Sequence, residues 1–385
     1  MINPRLLAPK AFYFFWFASI GALTPFTGLY YRTIGFDLAQ IGLIAAVSGV
    51  VQLFAGPLWA MLADAFRLRR ALLPITLVLS IPPVVLLAYA QGFALLLLLS
   101  LLVALFSAPI VALADSATMA LLGADRDAYG AQRLWGAVGW SVNTSLFGWL
   151  VERYGYWVIF PGYAAFALAT AVVALALPRA ELVPVNMRGA LRSLARDGRW
   201  RRFLGCVFLV GCCSSVIISF LPLYLSDRGA TGGQIGMSLT IASVSELVVM
   251  AVSPMVLRRW GARPLLVVGG LLYALRMLIY IAAPSPEWVL TAQVLHGISF
   301  GGFWIACVVE AQRLAPKGFE ATAQSLLGMA MGGVASALAS AAGGAIYRDY
   351  GSSTLFAIVG VMALAGAVGM LGGERHHVRE DSAAA

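Results

Sequence analysis

The stretch FTGLYYRTIGFDLAQIG, residues 26–42, returns 194 positions later as FLPLYLSDRGATGGQIG, residues 220–236. Phe26, Leu29, Tyr30 and Gly35 fall on Phe220, Leu223, Tyr224 and Gly229, and Gln40-Ile41-Gly42 falls on Gln234-Ile235-Gly236. The same shift sets Gln52 on Glu246 and Arg69 on Arg263. With a small slip, Ala131-Gln132 and Gly136 meet Ala323-Gln324 and Gly328, and Tyr154-Gly155 meets Tyr350-Gly351. The 385 residues therefore read as two copies of one unit.

Each unit is made of apolar runs. The chain is 61% hydrophobic and 11% charged, against roughly a quarter charged for a soluble domain, so lipid is the expected solvent. Crossing ~30 Å of hydrocarbon takes about twenty apolar residues per helix. Twelve such spans are predicted at 9–31, 40–63, 71–90, 93–121, 131–150, 156–177, 203–225, 234–257, 265–283, 288–312, 322–346 and 353–372. The expected fold is all-α and integral to the membrane, with two pseudo-symmetric six-helix bundles. The N-terminal bundle is assigned residues 1–178, a basic linker 179–202, the C-terminal bundle 203–373 and a polar tail 374–385. The first span follows a short basic stub without a small-residue cleavage pattern, so it reads as an uncleaved helix. Cys206, Cys212, Cys213 and Cys307 all sit in apolar runs, without metal-ligand spacing, and neither a disulfide nor a metal site is expected.

The formal charge of +9 raises the question of a nucleic-acid partner, but its distribution answers otherwise. Twenty of the 26 Lys and Arg residues fall in the tails, the linker and the loops of one side. Only Arg32, Arg153, Arg228 and Arg348 fall on the other. Positive charge collects on the cytoplasmic side of membrane proteins, so both termini are expected in the cytoplasm and the protein in the cytoplasmic (inner) membrane. A repeat of six spans in parallel orientation implies two bundles around a central site, one rocking against the other to give alternating access.

Arg133 and Arg276, the two remaining basic residues, lie in or at the edge of spans. Ionised groups at membrane depth are costly, face a cavity and find partners. Glu246 and Arg276 are each fifteen residues from Gly261, and Arg276 and His296 each ten from Pro286. Counting outward from those turns sets all three at similar depth on three successive helices. Asp115 and Arg133 are likewise each nine residues from Ala124, where opposite charges can pair across neighbouring helices. Trp140, two turns beyond Arg133, could offer an aromatic surface to a substrate. Each pair also has a purely structural reading as an interhelical clamp, and His296 one as a satisfied interior histidine. Glu310 reads as a gate or loop contact, and Gln52, Asn143 and Gln293 as interhelical hydrogen-bond formers. The G-x-S-x-G match at Gly297–Gly301 lacks the strand-to-helix elbow a serine hydrolase needs.

From Tyr129 to Trp140 the chain reads Tyr-Gly-Ala-Gln-Arg-Leu-Trp-Gly-Ala-Val-Gly-Trp, with Asp115 eighteen residues before Arg133. With Ser245-Glu246-Leu247, Leu275-Arg276 and Leu295-His296, this resembles the lactose permease branch of the major facilitator superfamily. It is closer still to the phenylpropionate permease-like group beside that branch. The resemblance runs over nearly the whole chain. It implies that Asp115, Arg133, Trp140, Glu246 and His296 bind substrate. It also implies that Arg276 takes part in proton coupling, and that Asp64, Arg69 and Arg70 belong to a gating loop after the second span. Two departures stand out: Ser299 occupies the place of a proton-carrying glutamate, and Ala60 and Arg67 stand where that loop usually has glycines.

No ATPase signature or phosphate loop is present, so a gradient must drive transport, with no cofactor beyond it. The expected function is proton-coupled symport of a small organic solute, such as an aromatic monocarboxylate like phenylpropionate. Arg133, Arg276 and His296 would meet its charge, Glu246 is the first candidate proton carrier and Asp115 the second. A sugar or nucleoside symporter is the nearest alternative, followed by a drug-exporting antiporter and a non-transporting sensor. An enzyme would need a nucleophile–base or metal constellation, which the sequence lacks. The expected partners are lipid, the solute and protons, without nucleic acid, for a protein acting as a monomer.

Overall fold

The computed structural model describes residues 6–65, 71–123, 129–178, 194, 196–316 and 319–371. These form twelve helical rods: α1 (Leu7–Thr33), α2 (Leu38–Ala65), α3 (Leu72–Leu87), α4 (Phe93–Leu122), α5 (Tyr129–Tyr154), α6 (Tyr156–Ala174), α7 (Gly198–Asp227), α8 (Gly232–Trp260), α9 (Ala262–Ala282), α10 (Pro286–Leu314), α11 (320–350) and α12 (352–371). Nine helical stretches among the described residues are long and apolar enough to span a bilayer, one of them holding α11 and α12 together. The other two rods are α3, which is short, and α5, which is too polar for that test. Every predicted span thus has its rod. Arg69, Arg70 and the side chain of Asp64 lie outside the described residues, as do most of the linker and the tail. Helix α7 starts at Gly198, ahead of the predicted span, because the Asp197 carboxylate accepts from the Arg199 amide and caps its first turn.

The repeat is visible as conformation. Gly35 and Gly229 both have positive φ, 98° and 81°, and so do Gly155 and Gly351, at 86° and 84°. Each turns the chain from one rod to the next, in a region that L side chains rarely enter. After the first pair of turns the same cap recurs. Asp37 accepts from the Gln40 amide at 2.8 Å while Gln40 accepts from the Asp37 amide at 3.0 Å. Thr231 and Gln234 make the matching capping box at the start of α8. The glutamines that betrayed the duplication are therefore helix-start residues.

Between the halves, α2 packs on α11, α5 on α8, and α1 on α7. The first two contacts are related by the repeat, and both are made on glycine. A Cβ on Gly42 would stand 2.3 Å from the Ser340 carbonyl oxygen, and one on Gly236 2.3 Å from that of Thr144. Close backbone approach of this kind is how membrane helices gain packing energy without a hydrophobic drive. Polar links gather on the face opposite the arginine-rich one, here the far face. Arg32 pairs with Asp227, which also accepts from the Tyr347 hydroxyl at 2.6 Å. Arg348 reaches Asp37 at 3.4 Å, and Glu152 accepts from the Gly233 amide at 3.0 Å. Deeper in, the Thr240 hydroxyl donates to the Ser141 carbonyl at 2.8 Å.

Candidate functional site

The N-terminal side of the site is built where α1 crosses α5. Gly139 lets the α1 backbone come close: a Cβ there would lie 2.1 Å from the Phe14 carbonyl oxygen. Gly136, one turn earlier, leaves room for the Phe17 ring. The Arg133 guanidinium carbon consequently sits 4.2 Å from the centre of the Phe17 ring and 5.4 Å from that of Tyr13. Cations are attracted to ring faces at such distances. Sequence reasoning expected Arg133 to pair with Asp115, and the structure departs from that. The Tyr13 hydroxyl donates to Asp115 Oδ1 at 2.6 Å and lies 3.4 Å from the Thr118 hydroxyl. Asp115 is thus engaged by the Tyr13 phenol, with the Tyr129 phenol a second neighbour, while Arg133 has neither a hydrogen bond nor a carboxylate within 4.0 Å among the described residues. Both side chains are half-buried.

The C-terminal side is built around Arg276, which is 0% exposed. Its Nη1 donates to Ser299 Oγ at 3.0 Å and to His296 Nδ1 at 3.2 Å, and its Nη2 to Tyr280 Oη and Gln293 Oε1, both at 2.8 Å. Gln293 Nε2 in turn donates to Tyr280 Oη at 3.1 Å. A guanidinium has no acceptor, so the contact with His296 requires Nδ1 to accept and the ring proton to sit on Nε2. That nitrogen faces Glu246 Oε2 at 4.0 Å. Glu246, Arg276 and His296 do meet at one depth, but not as a Glu246–Arg276 clamp: the imidazole stands between them. Ser299, where the resemblance expects an acid, is an acceptor for the arginine.

Helix α10 reaches this geometry through a wide turn. Residues Gly297–Gly302 are π-helical, a form that turns up at functional sites. The Gly297 amide donates to Ser245 Oγ at 2.9 Å, so the neighbour of Glu246 satisfies a donor that the irregular turn frees. A Cβ on Gly297 would fall 2.2 Å from the Ser245 carbonyl oxygen, and one on Gly301 2.9 Å from Glu246 Cγ. Glycine at both positions brings α10 onto α8 and sets His296 beside Glu246. The G-x-S-x-G match is this turn.

Trp140 is half-buried on α5, its backbone carbonyl 3.2 Å from where a Cβ on Gly21 would stand, and it is not drawn into the Arg133 cluster. Glu310 is turned to Arg313, which donates to it twice, at 2.7 and 3.0 Å. Gln293 bonds across to α9, whereas Asn143 bonds within α5, to the Gly139 carbonyl. Among the described residues no group of three His, Cys, Asp or Glu could hold a metal. Sequence reasoning missed Tyr13, Phe17, Ser245 and Tyr280. Tyr13 and Phe17 are hidden in the run AFYFFWF, residues 11–17, where nothing marks one aromatic from the next.

Residues 6–358 match the MFS_1 like family. The chain is 31% identical to "Maltose permease" of Geobacillus stearothermophilus, over 92% of this chain and 92% of that protein. It is 29% identical to "Probable 3-phenylpropionic acid transporter" of Escherichia coli (strain K12), over 78% of this chain and 79% of that one. The crystal structure of the nucleoside transporter NupG shares the fold at a TM-score of 0.82, with 18% identity, covering 97% of this chain and 100% of that one. With the family match spanning both bundles, the chain belongs to the MFS_1 like family and is a multi-pass membrane transporter of the major facilitator type, not an enzyme.

Proposed function

We propose that the protein carries a small organic monocarboxylate with an aromatic or apolar body together with a proton, by alternating access. The observation that carries this reading is Arg133: a guanidinium in the interior with no carboxylate within 4.0 Å among the described residues, resting on two aromatic rings. A carboxylate would complete its hydrogen bonds in the bidentate manner arginine favours, and the rings of Tyr13 and Phe17 would cover the solute's body.

Charge counting supports the coupling. Arg133 and Arg276 contribute two positive charges, Asp115 and Glu246 two negative ones, and His296 is neutral in the tautomer its partner demands. The site is balanced when empty. A proton on Glu246 adds one positive charge, and a monocarboxylate removes it, so anion and proton together restore the balance that either alone upsets. Glu246 fits the carrier's role because its carboxylate faces the His296 imidazole Nε2 at 4.0 Å. Arg276 holds His296 in place and is a positioning residue. In this reading the far-face clasp makes the state one that opens toward the arginine-rich, cytoplasmic side, with both termini there and the protein acting as a monomer in the cytoplasmic membrane.

A second reading is a sugar symporter, supported by the likeness to the maltose permease. Asp115 and Trp140 would then take hydroxyls and a ring face. The deciding experiment records external pH over lightly buffered proteoliposomes as phenylpropionate, maltose and a nucleoside are added singly. Alkalinisation with phenylpropionate, absent in Arg133→Ala, is expected. A response to maltose alone would transfer the function to sugar transport, and silence across the panel with folded protein would overturn symport.

A further inference from the structure

We infer that Tyr13 sets the charge selectivity of the site by keeping Asp115 away from Arg133. This rests on the carboxylate reading above. Tyr13 is 0% exposed, and its hydroxyl is committed to Asp115 at 2.6 Å, with Thr118 at 3.4 Å behind it. The Arg133 guanidinium lies over the ring of the same residue, 5.4 Å from the ring centre, with Phe17 closing the platform at 4.2 Å. One side chain therefore touches both charges, Asp115 through its hydroxyl and Arg133 through its ring, with the Tyr129 phenol a second neighbour of the same carboxylate. Direct pairing would satisfy both and cancel the positive charge that a substrate anion needs. By giving Asp115 a neutral donor, Tyr13 leaves the arginine available for an anion. Phenylalanine in its place keeps the ring and loses the donor, so Asp115 would turn to Arg133, and the site would favour neutral, hydroxylated solutes over carboxylates.

The test is a cycle of Tyr13→Phe and Asp115→Asn in the full chain, read in two ways. First, the rate at which an arginine-directed dicarbonyl reagent, phenylglyoxal, modifies Arg133 is followed by peptide mass spectrometry on the purified protein. This needs no transport. A guanidinium tied to a carboxylate reacts more slowly than a free one, so Tyr13→Phe should slow the reaction about tenfold, the order of one charge-assisted hydrogen bond. Asp115→Asn in that background should restore the wild-type rate. Second, the KM for phenylpropionate should rise about tenfold in Tyr13→Phe, while the same change made on Asp115→Asn should cost nothing. A purely structural role for the tyrosine would show the same loss in both backgrounds. Equal modification rates in all four proteins would overturn the inference. A wild type that moves no carboxylate would instead sink the carboxylate reading, with the modification rates still deciding whether Tyr13 separates the pair.

Discussion

Arg133 and Arg276 are arginines inside the helical halves, one in each, and they are treated in opposite ways. Arg276 is fully buried and spends four hydrogen bonds on Ser299, His296, Tyr280 and Gln293. Arg133 is half-buried and, among the described residues, rests on rings alone. A buried guanidinium with four of its five N–H donors engaged and only Nε–H left over shapes its surroundings, here by dictating the imidazole tautomer. One that rests on aromatic faces, with no carboxylate in reach among the described residues, is in our reading a binding group waiting for a ligand. The difference teaches that a membrane-embedded arginine is to be judged by its unfilled donors and not by its presence.

Substitutions can break this contrast. The largest effect is expected from Arg133→Gln, which should lower kcat/KM for carboxylate uptake about a hundredfold, as losing one desolvated charge pair would. Its unfolding midpoint in detergent should barely move, because no internal hydrogen bond is lost. Arg276→Met should do the reverse. It strands Gln293, Tyr280 and Ser299 and frees the His296 ring, so unfolding measurements should register a loss of about 3 kcal/mol. Phe17→Leu removes the nearer ring beneath Arg133 and should raise the KM for the carboxylate about fivefold, on the scale of one cation–π contact. Ser299→Ala should be the mildest, costing less than about 1 kcal/mol in the same unfolding assay, since Arg276 keeps its other three acceptors. Equal destabilisation by Arg133→Gln and Arg276→Met would erase the distinction between the two arginines.

Much of the architecture was legible in the chain. Length and apolarity set the twelve spans, and Gln40 and Gln234 marked a duplication because each closes a capping box at the start of a helix. Gly35, Gly155, Gly229 and Gly351 were conspicuous because their turns need positive φ. Counting from Gly261 and Pro286 brought Glu246, Arg276 and His296 to one depth, and they do meet there. What counting cannot supply is azimuth. A helix apolar nearly all round has no preferred face for the pattern to reveal, so the partner of Arg133 was misjudged. A tyrosine from a third helix took Asp115 instead. Trp140 shows the same limit, since its place relative to the arginine cluster was not readable.

The wide turn at Gly297–Gly302 has a bearing on how relatives of this chain are compared. In a regular helix the fourteen positions from His296 to Glu310 would bring the two side chains within roughly 40° of each other around the axis. A π turn absorbs one residue, so the downstream half is out of phase by about 100° and the two side chains diverge by roughly 140°. On that side Glu310 pairs with Arg313, one turn further along the same helix. A protein with a regular tenth helix would need one residue fewer there to present the same surfaces. Alignments across this segment should therefore carry a single-residue gap, and a deletion within the turn should be tolerated where one in the regular helix α9 is not.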